Sequence, residues 1–519
     1  MKVRGDILRL YQFLHTWSGI TTGMLLFIAF FAGALTMFKE PLAHWVKPMH
    51  HQSEVSIEQM QSQLDQVLNE QANAKNQIVV NLDANNNHQP HFTWYPDAKG
   101  RTLNLEQQAI YGVIDDNSQL QITYSAPTAF SELVDALHRT GGIPGTNDHG
   151  YFGVTIMGLV SIAYFLAIVS GVIVLLPTLV KSLFALRTNK GKSRFWLDSH
   201  NILGVTSLPF HIVICFTAIV FAFHDDMYDS MKAAIYGDQP MFQRAKPTQT
   251  YPLEQLKSIS ELKDIALSIN PNAQVLDMTF RNLTKPNASV MMSVYDETQT
   301  MHGAIADHLI VHPYTGKIQF SSIKPGEGGI WKRIVATFFA AHFGSFGGPY
   351  IRWIYFALGL AGAFLFYSGN LLWLEKRKTK PTTSEPNPTQ SRSWNNLAKL
   401  NIGVCLGAIA GIATCMALSK WLLLFFDNIN RDYLTLYYVV FMGAVISAFV
   451  WGTYKASKGL LMYSGLLCLS IPITSVLAWL FPSMGMVAPE VLSYYWVDAV
   501  VLLFAVVFIR QARKLKQPE

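Results

Sequence analysis

A chain of 519 residues, half of them hydrophobic and with a mean hydropathy of +0.22, is too apolar for an ordinary soluble enzyme and too often broken by polar stretches for a simple pore. Forty Lys and Arg against 34 Asp and Glu leave a formal charge of +6. The basic residues gather in alternate loops, so membrane orientation accounts for them and no nucleic-acid partner is required. The four cysteines, Cys215, Cys405, Cys415 and Cys468, all fall in apolar runs. That excludes a disulfide framework outside the membrane, a CxxCH haem attachment site and a thiolate cluster for iron–sulfur or zinc.

Crossing a hydrocarbon core of ~30 Å takes about 20 helical residues. Eight runs are long enough, near 14–38, 152–176, 201–223, 350–374, 399–425, 434–454, 459–481 and 490–510. Lys2, Arg4 and Arg9, then Lys181 to Arg194, Lys376 to Arg392, Lys455 with Lys458, and Arg510 to Lys516 mark the cytoplasmic loops, which places both termini in the cytoplasm. The expected architecture is an all-α polytopic membrane protein carrying two extramembrane α+β modules.

The first span (1–38) opens with Leu14-His15-Thr16-Trp17-Ser18-Gly19-Ile20-Thr21, and the third opens with Ser199-His200-Asn201-Ile202-Leu203-Gly204-Val205-Thr206. The shared His-x-x-x-Gly-[Ile/Val]-Thr, each time after a basic segment and before an apolar run, marks a duplicated site, because an ionisable group at the mouth of a bilayer is costly unless it has a task. An outer segment (39–150) follows the first span. Ser56–Lys75 has helical periodicity, strands are expected at 78–82, 91–95 and 109–114, and a helix over 128–139 carries His138 back towards the membrane.

Residues 151–224 hold the second and third spans. The second outer segment (225–348) repeats the first: a helix over 253–268, strands at 275–281, 289–295 and 309–311, and a Pro313-Tyr314-Thr315-Gly316 turn expected to close a hairpin. His342 stands ahead of the fourth span (349–378). The closing spans share Ser170-Gly171 and Ser368-Gly369, and Gly158-Leu159 and Gly359-Leu360. His138 lies 32 residues before its Ser-Gly and His342 only 26 before its own, which leaves His149 a rival to His138. Residues 379–398 have linker composition, and the last four spans (399–519) contain no histidine.

Two parallel repeats imply a pseudo-twofold axis along the membrane normal, relating His15 to His200 at the cytoplasmic end and His138 to His342 at the outer end. Facing histidines at both ends of a four-helix bundle suit two haems, each with two imidazole ligands. Gly19, Gly23 and Gly204 leave room for a macrocycle. His211, eleven residues after His200 and on its face, has only Leu26 as repeat partner. It is open as a ligand to a deeper haem, a propionate contact or a core residue. The histidines of the outer segments (His44, His50, His51, His88, His91, His302, His308, His312) are expected to be solvated or structural, with His50-His51 and His224-Asp225-Asp226 as further places for a metal-bearing substrate. No GxGxxG or Walker motif occurs.

The order of a His-led first span, His138-Arg139 before the second, His-x-x-x-Gly with Leu208-Pro209-Phe210 in the third, and His342-Phe343-Gly344 before a fourth ending Ser368-Gly369-Asn370-Leu371-Leu372-Trp373 resembles the PepSY-associated transmembrane helix family. Val311-His312-Pro313-Tyr314-Thr315-Gly316-Lys317-Ile318 is similar to the strand–turn–strand signature of its PepSY module. The resemblance covers roughly residues 1–378 and leaves the last four spans unassigned. It implies a bacterial inner-membrane protein with two haems b, held by His15, His138, His200 and His342, that passes electrons to a ferric siderophore or other ferric chelate in the periplasm. Reduction to the softer, more labile Fe(II) would release the metal. With no flavin or nicotinamide domain, the donor would be a membrane quinol or a separate reductase. Two other classes remain open: a non-enzymatic membrane protein whose modules bind or restrain a periplasmic partner, and a siderophore or iron transporter. The few charges of the last spans (Lys420, Asp427, Asp432, Asp498) give no evident polar path for transport.

Overall fold

The computed structural model describes residues 4–47, 55–83, 89–96, 105, 108–115, 117–126, 128–147, 150–179, 186–187, 189, 191–231, 234, 237, 249–299, 306–323, 330–380, 388–486, 488 and 494–516. The helices of the first half are α1 (Gly5–Thr36), α2 (Lys39–Val46), α3 (Ile57–Glu70), α4 (Phe130–Thr140), α5 (Phe152–Leu175), α6 (Lys192–Thr206) and α7 (Leu208–Met231). Then come α8 (Ile259–Ile269), α9 (Ile330–Phe343), α10 (Gly348–Arg377), α11 (Arg392–Leu422), α12 (Asn430–Leu480) and α13 (Tyr495–Lys514). The chain divides into two compact units: residues 1–46, 129–227 and 352–519 form the first, and residues 47–128 and 228–351 the second.

Among the described residues seven helices are long and apolar enough to cross a membrane, against the eight runs expected from sequence. The runs near 434–454 and 459–481 make up the 51-residue α12, whose continuity is broken at Gly452, where φ is +77°. A straight helix of that length would reach about 76 Å, more than twice a bilayer core. Only glycine takes that left-handed backbone angle without strain, so Gly452 is where α12 turns. The third span is likewise interrupted, since α6 ends at Thr206 with Ser207 as its C-cap and α7 starts just ahead of Pro209, whose missing N–H suits a first helical turn.

In the first unit α1, α5, α6–α7 and α10 close into a four-helix bundle. Close approach is by glycine: a Cβ on Gly158 of α5 would lie 2.7 Å from Phe223 of α7, and one on Gly359 of α10 would lie 3.0 Å from Ala34 of α1. Helices α11, α12 and α13 pack on one another, and α11 also packs on α1, where Asn370 of α10 donates to Asn401 of α11 at 2.8 Å.

In the second unit eight antiparallel strands form one sheet. They are β1 (Gln77–Asn81), β2 (Phe92–Trp94), β3 (Ala109–Ile114), β4 (Leu120–Ser125), β5 (Gln274–Arg281), β6 (Ser289–Tyr295), β7 (Asp307–Val311) and β8 (Ile318–Ser321), in the order β8-β7-β6-β5-β1-β2-β3-β4. The two outer segments, expected as separate modules, therefore share a sheet. It is joined by β1 and β5 with the register Gln77↔Arg281, Val79↔Thr279 and Asn81↔Asp277. Each module's first strand would otherwise expose an unpaired edge, and pairing them removes both.

Alternation sets the core face. Ile78, Val80, Phe92, Trp94, Met278, Phe280, Val290 and Leu309 are buried beneath Met60, Leu64 and Val67 of α3 and Ile259, Leu262 and Ala266 of α8. The duplication shows in the caps as well, because Ser56 with Gln59 and Ser258 with Glu261 form capping boxes at the starts of α3 and α8. The Pro313–Gly316 turn closes the β7–β8 hairpin, with Gly316 at φ +72°.

Two expected results follow here. Phe280→Ala empties a fully buried site beside the β1–β5 seam and should cost about 3–5 kcal/mol, read as new proteolytic cleavage within 274–295 of the full-length protein. Burial works to raise the Asp296 carboxyl, but bonds from Asn270, Thr298 and Gln299 at 2.6–3.0 Å outweigh it and hold the group well below the usual carboxylate range. Its contribution is therefore present above the unfolded pKa of about 3.9 and lost as pH falls through the lowered folded value. Asp296→Asn should lower the denaturation midpoint at pH 7, and the gap to wild type should close only in strong acid.

Candidate functional site

His15 lies one third of the way along α1 and His200 near the middle of α6. Their ring centres are 6.1 Å apart, with the planes 69° from parallel. The Nδ1–H of His15 donates to the Ala167 carbonyl of α5 at 2.8 Å, and that of His200 to the Leu365 carbonyl of α10 at 3.3 Å. A carbonyl only accepts, so each Nδ1 carries the proton and each Nε2 keeps its lone pair for a ligand.

The repeated Ser-Gly dipeptides explain how both rings are seated. Four residues past each accepting carbonyl stands a glycine, Gly171 or Gly369. A Cβ there would lie 2.8 Å from Cε1 of His15, or 3.2 Å from Cε1 of His200. The serines before them, Ser170 and Ser368, donate to the same two carbonyls at 3.1 and 3.0 Å. Carbonyl, hydroxyl and missing side chain thus form one cradle, built twice.

His138 of α4 uses a third version. Its Nδ1–H donates to the Ala29 carbonyl of α1 at 2.8 Å, and a Cβ on Gly33, again four residues on, would lie 2.6 Å from that nitrogen. Ala29 is 14 residues beyond His15, about 21 Å along the helix.

His211 sits between these levels and is 2% exposed. Its Nδ1 is 2.5 Å from the Tyr164 hydroxyl, and Phe30, Phe210 and Phe366 surround the ring at 5.5–6.3 Å. Its buried Nε2 has no hydrogen-bond partner. His342 falls in the second unit, on α9, with its ring edge-on to Phe343 at 5.4 Å. His149, His50 and His51 lie outside the described residues. His224 donates to the Phe221 carbonyl of its own helix, and among the described residues no group of three or more His, Cys, Asp or Glu gathers into a metal site. Among the outer histidines, His91 is buried and accepts from the Ile114 amide. Burial likewise holds the His312 imidazole below its ordinary range. Of the glycines expected to leave room, Gly19 faces open space, Gly23 abuts Asn370, and Gly204 abuts Leu365.

The His15–His200 pair can be tested against a haem. The two rings are neighbours, 6.1 Å between centres, both Nε2 atoms are in the ligating tautomer, and the donor set suits iron. The residues fit.

Two further features had no reading in the sequence. Asp198, fully buried two residues before His200, accepts from the backbone and guanidinium of Arg187 at 2.8–3.0 Å and lies 3.2 Å from Arg194, which ties Arg187 to the His200 helix. Tyr164 has no motif around it that would betray its bond to His211.

Four apolar helices closing around paired imidazoles define a multi-span membrane protein with a histidine-lined bundle. The family described as PepSY-associated TM region matches residues 12–376, and the chain belongs to it. No curated protein matches the chain.

Proposed function

We propose that this protein is an inner-membrane electron carrier that binds haem b at His15 and His200 and reduces a ferric siderophore or similar ferric chelate outside the cytoplasm. The observation that carries this reading is the neighbouring imidazole pair, 6.1 Å between centres, with each Nδ1–H fixed by a backbone carbonyl. A haem bound there supplies a one-electron carrier. The chain's own contribution is orientation: the Ala167 and Leu365 carbonyls hold each ring in one tautomer and raise its basicity, and Gly171 and Gly369 let the rings approach the helix backbone. The substrate gains one electron, Fe(III) becoming Fe(II), and hard oxygen donors then release the metal more readily. The electron donor is a quinol or a separate reductase. The second haem rests on the sequence repeat, and within the first unit His138 and His211, the latter with an unpartnered buried nitrogen, are its candidate ligands.

The test is to reduce the purified protein with dithionite, remove the excess, and add a ferric hydroxamate with a ferrous-selective chromophore. Reoxidation of the haem bands matched by chromophore formation supports the proposal. Reduced bands that persist in the presence of the chelate contradict it.

A further inference from the structure

The bundle formed by α11, α12 and α13 has no histidine, and its few charges look terminal in the sequence. Two of them are nevertheless buried: Asp498 of α13 is 8% exposed and Lys420 of α11 is 3% exposed. Around Asp498, Trp45 Nε1–H of α2 donates to Oδ1 at 2.9 Å and Ser475 Oγ–H of α12 donates to the same oxygen at 3.1 Å. The other oxygen, Oδ2, is buried without a partner. The Lys420 ammonium lies 4.3 Å from the centre of the Trp45 ring and acts electrostatically on Asp498. Four helices thus converge on one carboxyl group inside an apolar bundle, where an ionisable group is costly unless it serves a function.

Two of these four, α2 and α13, also meet nearer the surface. Tyr494 precedes Asp498 by four residues, one helical turn, and its ring stacks on His44 of α2 at 4.9 Å and 11°. His44 is 4% exposed, and its Nε2 is 4.0 Å from Oε1 of Glu40, whose side chain is 54% exposed. Trp45 and His44 are adjacent, so α2 touches the buried carboxyl with one residue and the half-exposed Glu40 with the next.

We propose that Asp498 is a proton-exchanging site, with His44 and Glu40 as its path to the aqueous phase at the end of the bundle far from His15. The step is RCOO⁻ + H₃O⁺ ⇌ RCOOH + H₂O, with the proton held on the buried carboxyl. The charged and titratable groups facing the site are Lys420 from α11, His44 and Glu40 from α2, Tyr494 ahead of α13, and Arg352 of α10, which acts on Glu40. From α12 the nearest groups are the hydroxyls of Ser475 and Thr474, the latter bonded to Trp421. This inference stands apart from the haem reading, since none of its residues belongs to the histidine cradles.

Infrared difference spectra of the full-length protein, with ¹³C-labelled aspartate, taken from pH 5 to 9 in H₂O and D₂O, test it. The expected result is a protonated-carboxyl band of aspartate that grows as pH falls, is lost in D498N and is kept in D427N. Carboxyl H/D exchange should be slowed about tenfold or more in H44F. Lys420→Met removes the neighbouring positive charge that favours the carboxylate, so the midpoint should move to higher pH by about one unit. This variant keeps the test valid if D498N does not fold. A band that is absent, or that persists in D498N, overturns the site, as does a midpoint unmoved by K420M. Unchanged exchange in H44F overturns the route.

Discussion

On the proposed haem reading, His15→Ala is expected to remove one of two haems from the purified protein while leaving the other, and His200→Ala is expected to do the same. Each substitution deletes one Nε2 from a pair whose centres are 6.1 Å apart, and one remaining imidazole binds far more weakly than two. Haem per chain, read by pyridine haemochrome, should fall by about half in either variant and no further in the double variant, because both residues serve one site. If both single variants keep full haem content, the pairing is wrong.

The second large effect comes from a residue that has no side chain. Gly171→Leu places a Cβ 2.8 Å from Cε1 and 3.0 Å from Nδ1 of His15, with the α5 backbone unable to yield. The imidazole must leave the Ala167 carbonyl, and the ring loses both its tautomer and its aim. Overpacking costs about 1–3 kcal/mol, so the protein should still fold. Its haem content should fall to that of His15→Ala. Gly443→Ala is the control, since a Cβ there meets nothing within 4 Å. Equal haem in G171L and wild type would show that the cradle does not position His15.

Much of this was legible in the sequence, for physical reasons that also explain the gaps. Spans appear as apolar runs because a bilayer demands length, so α5 and α10 emerge within three residues of their bounds, whereas α1 and α11 begin nine and seven residues ahead of their apolar runs, in polar and basic turns. The His-x-x-x-Gly repeat and the paired Ser-Gly dipeptides were visible, but their meaning was not. Only the fold reveals that His15 meets Gly171 and His200 meets Gly369, 156 and 169 residues apart in sequence. Long-range strand pairing leaves no local trace, which hides the β1–β5 seam. β4 escaped for another reason: its side chains are exposed or half-buried on both faces, so no buried stripe marks it. Asp498 and Lys420 looked like solvated helix ends because α2, which covers them with Trp45, comes from the other end of the chain. Gly452 was one glycine among 35, and nothing but its backbone angle sets it apart.

The central claim is that two imidazoles from the repeated motif hold one iron porphyrin between them. The most direct measurement is the reduced-minus-oxidised absorption spectrum of the full-length protein purified from haem-replete cells, compared with H15A and H200A. The account predicts a redox-responsive Soret band with sharpened α and β bands in wild type, reduced equally in both variants. A colourless wild-type preparation, or a spectrum that both variants retain unchanged, would contradict it.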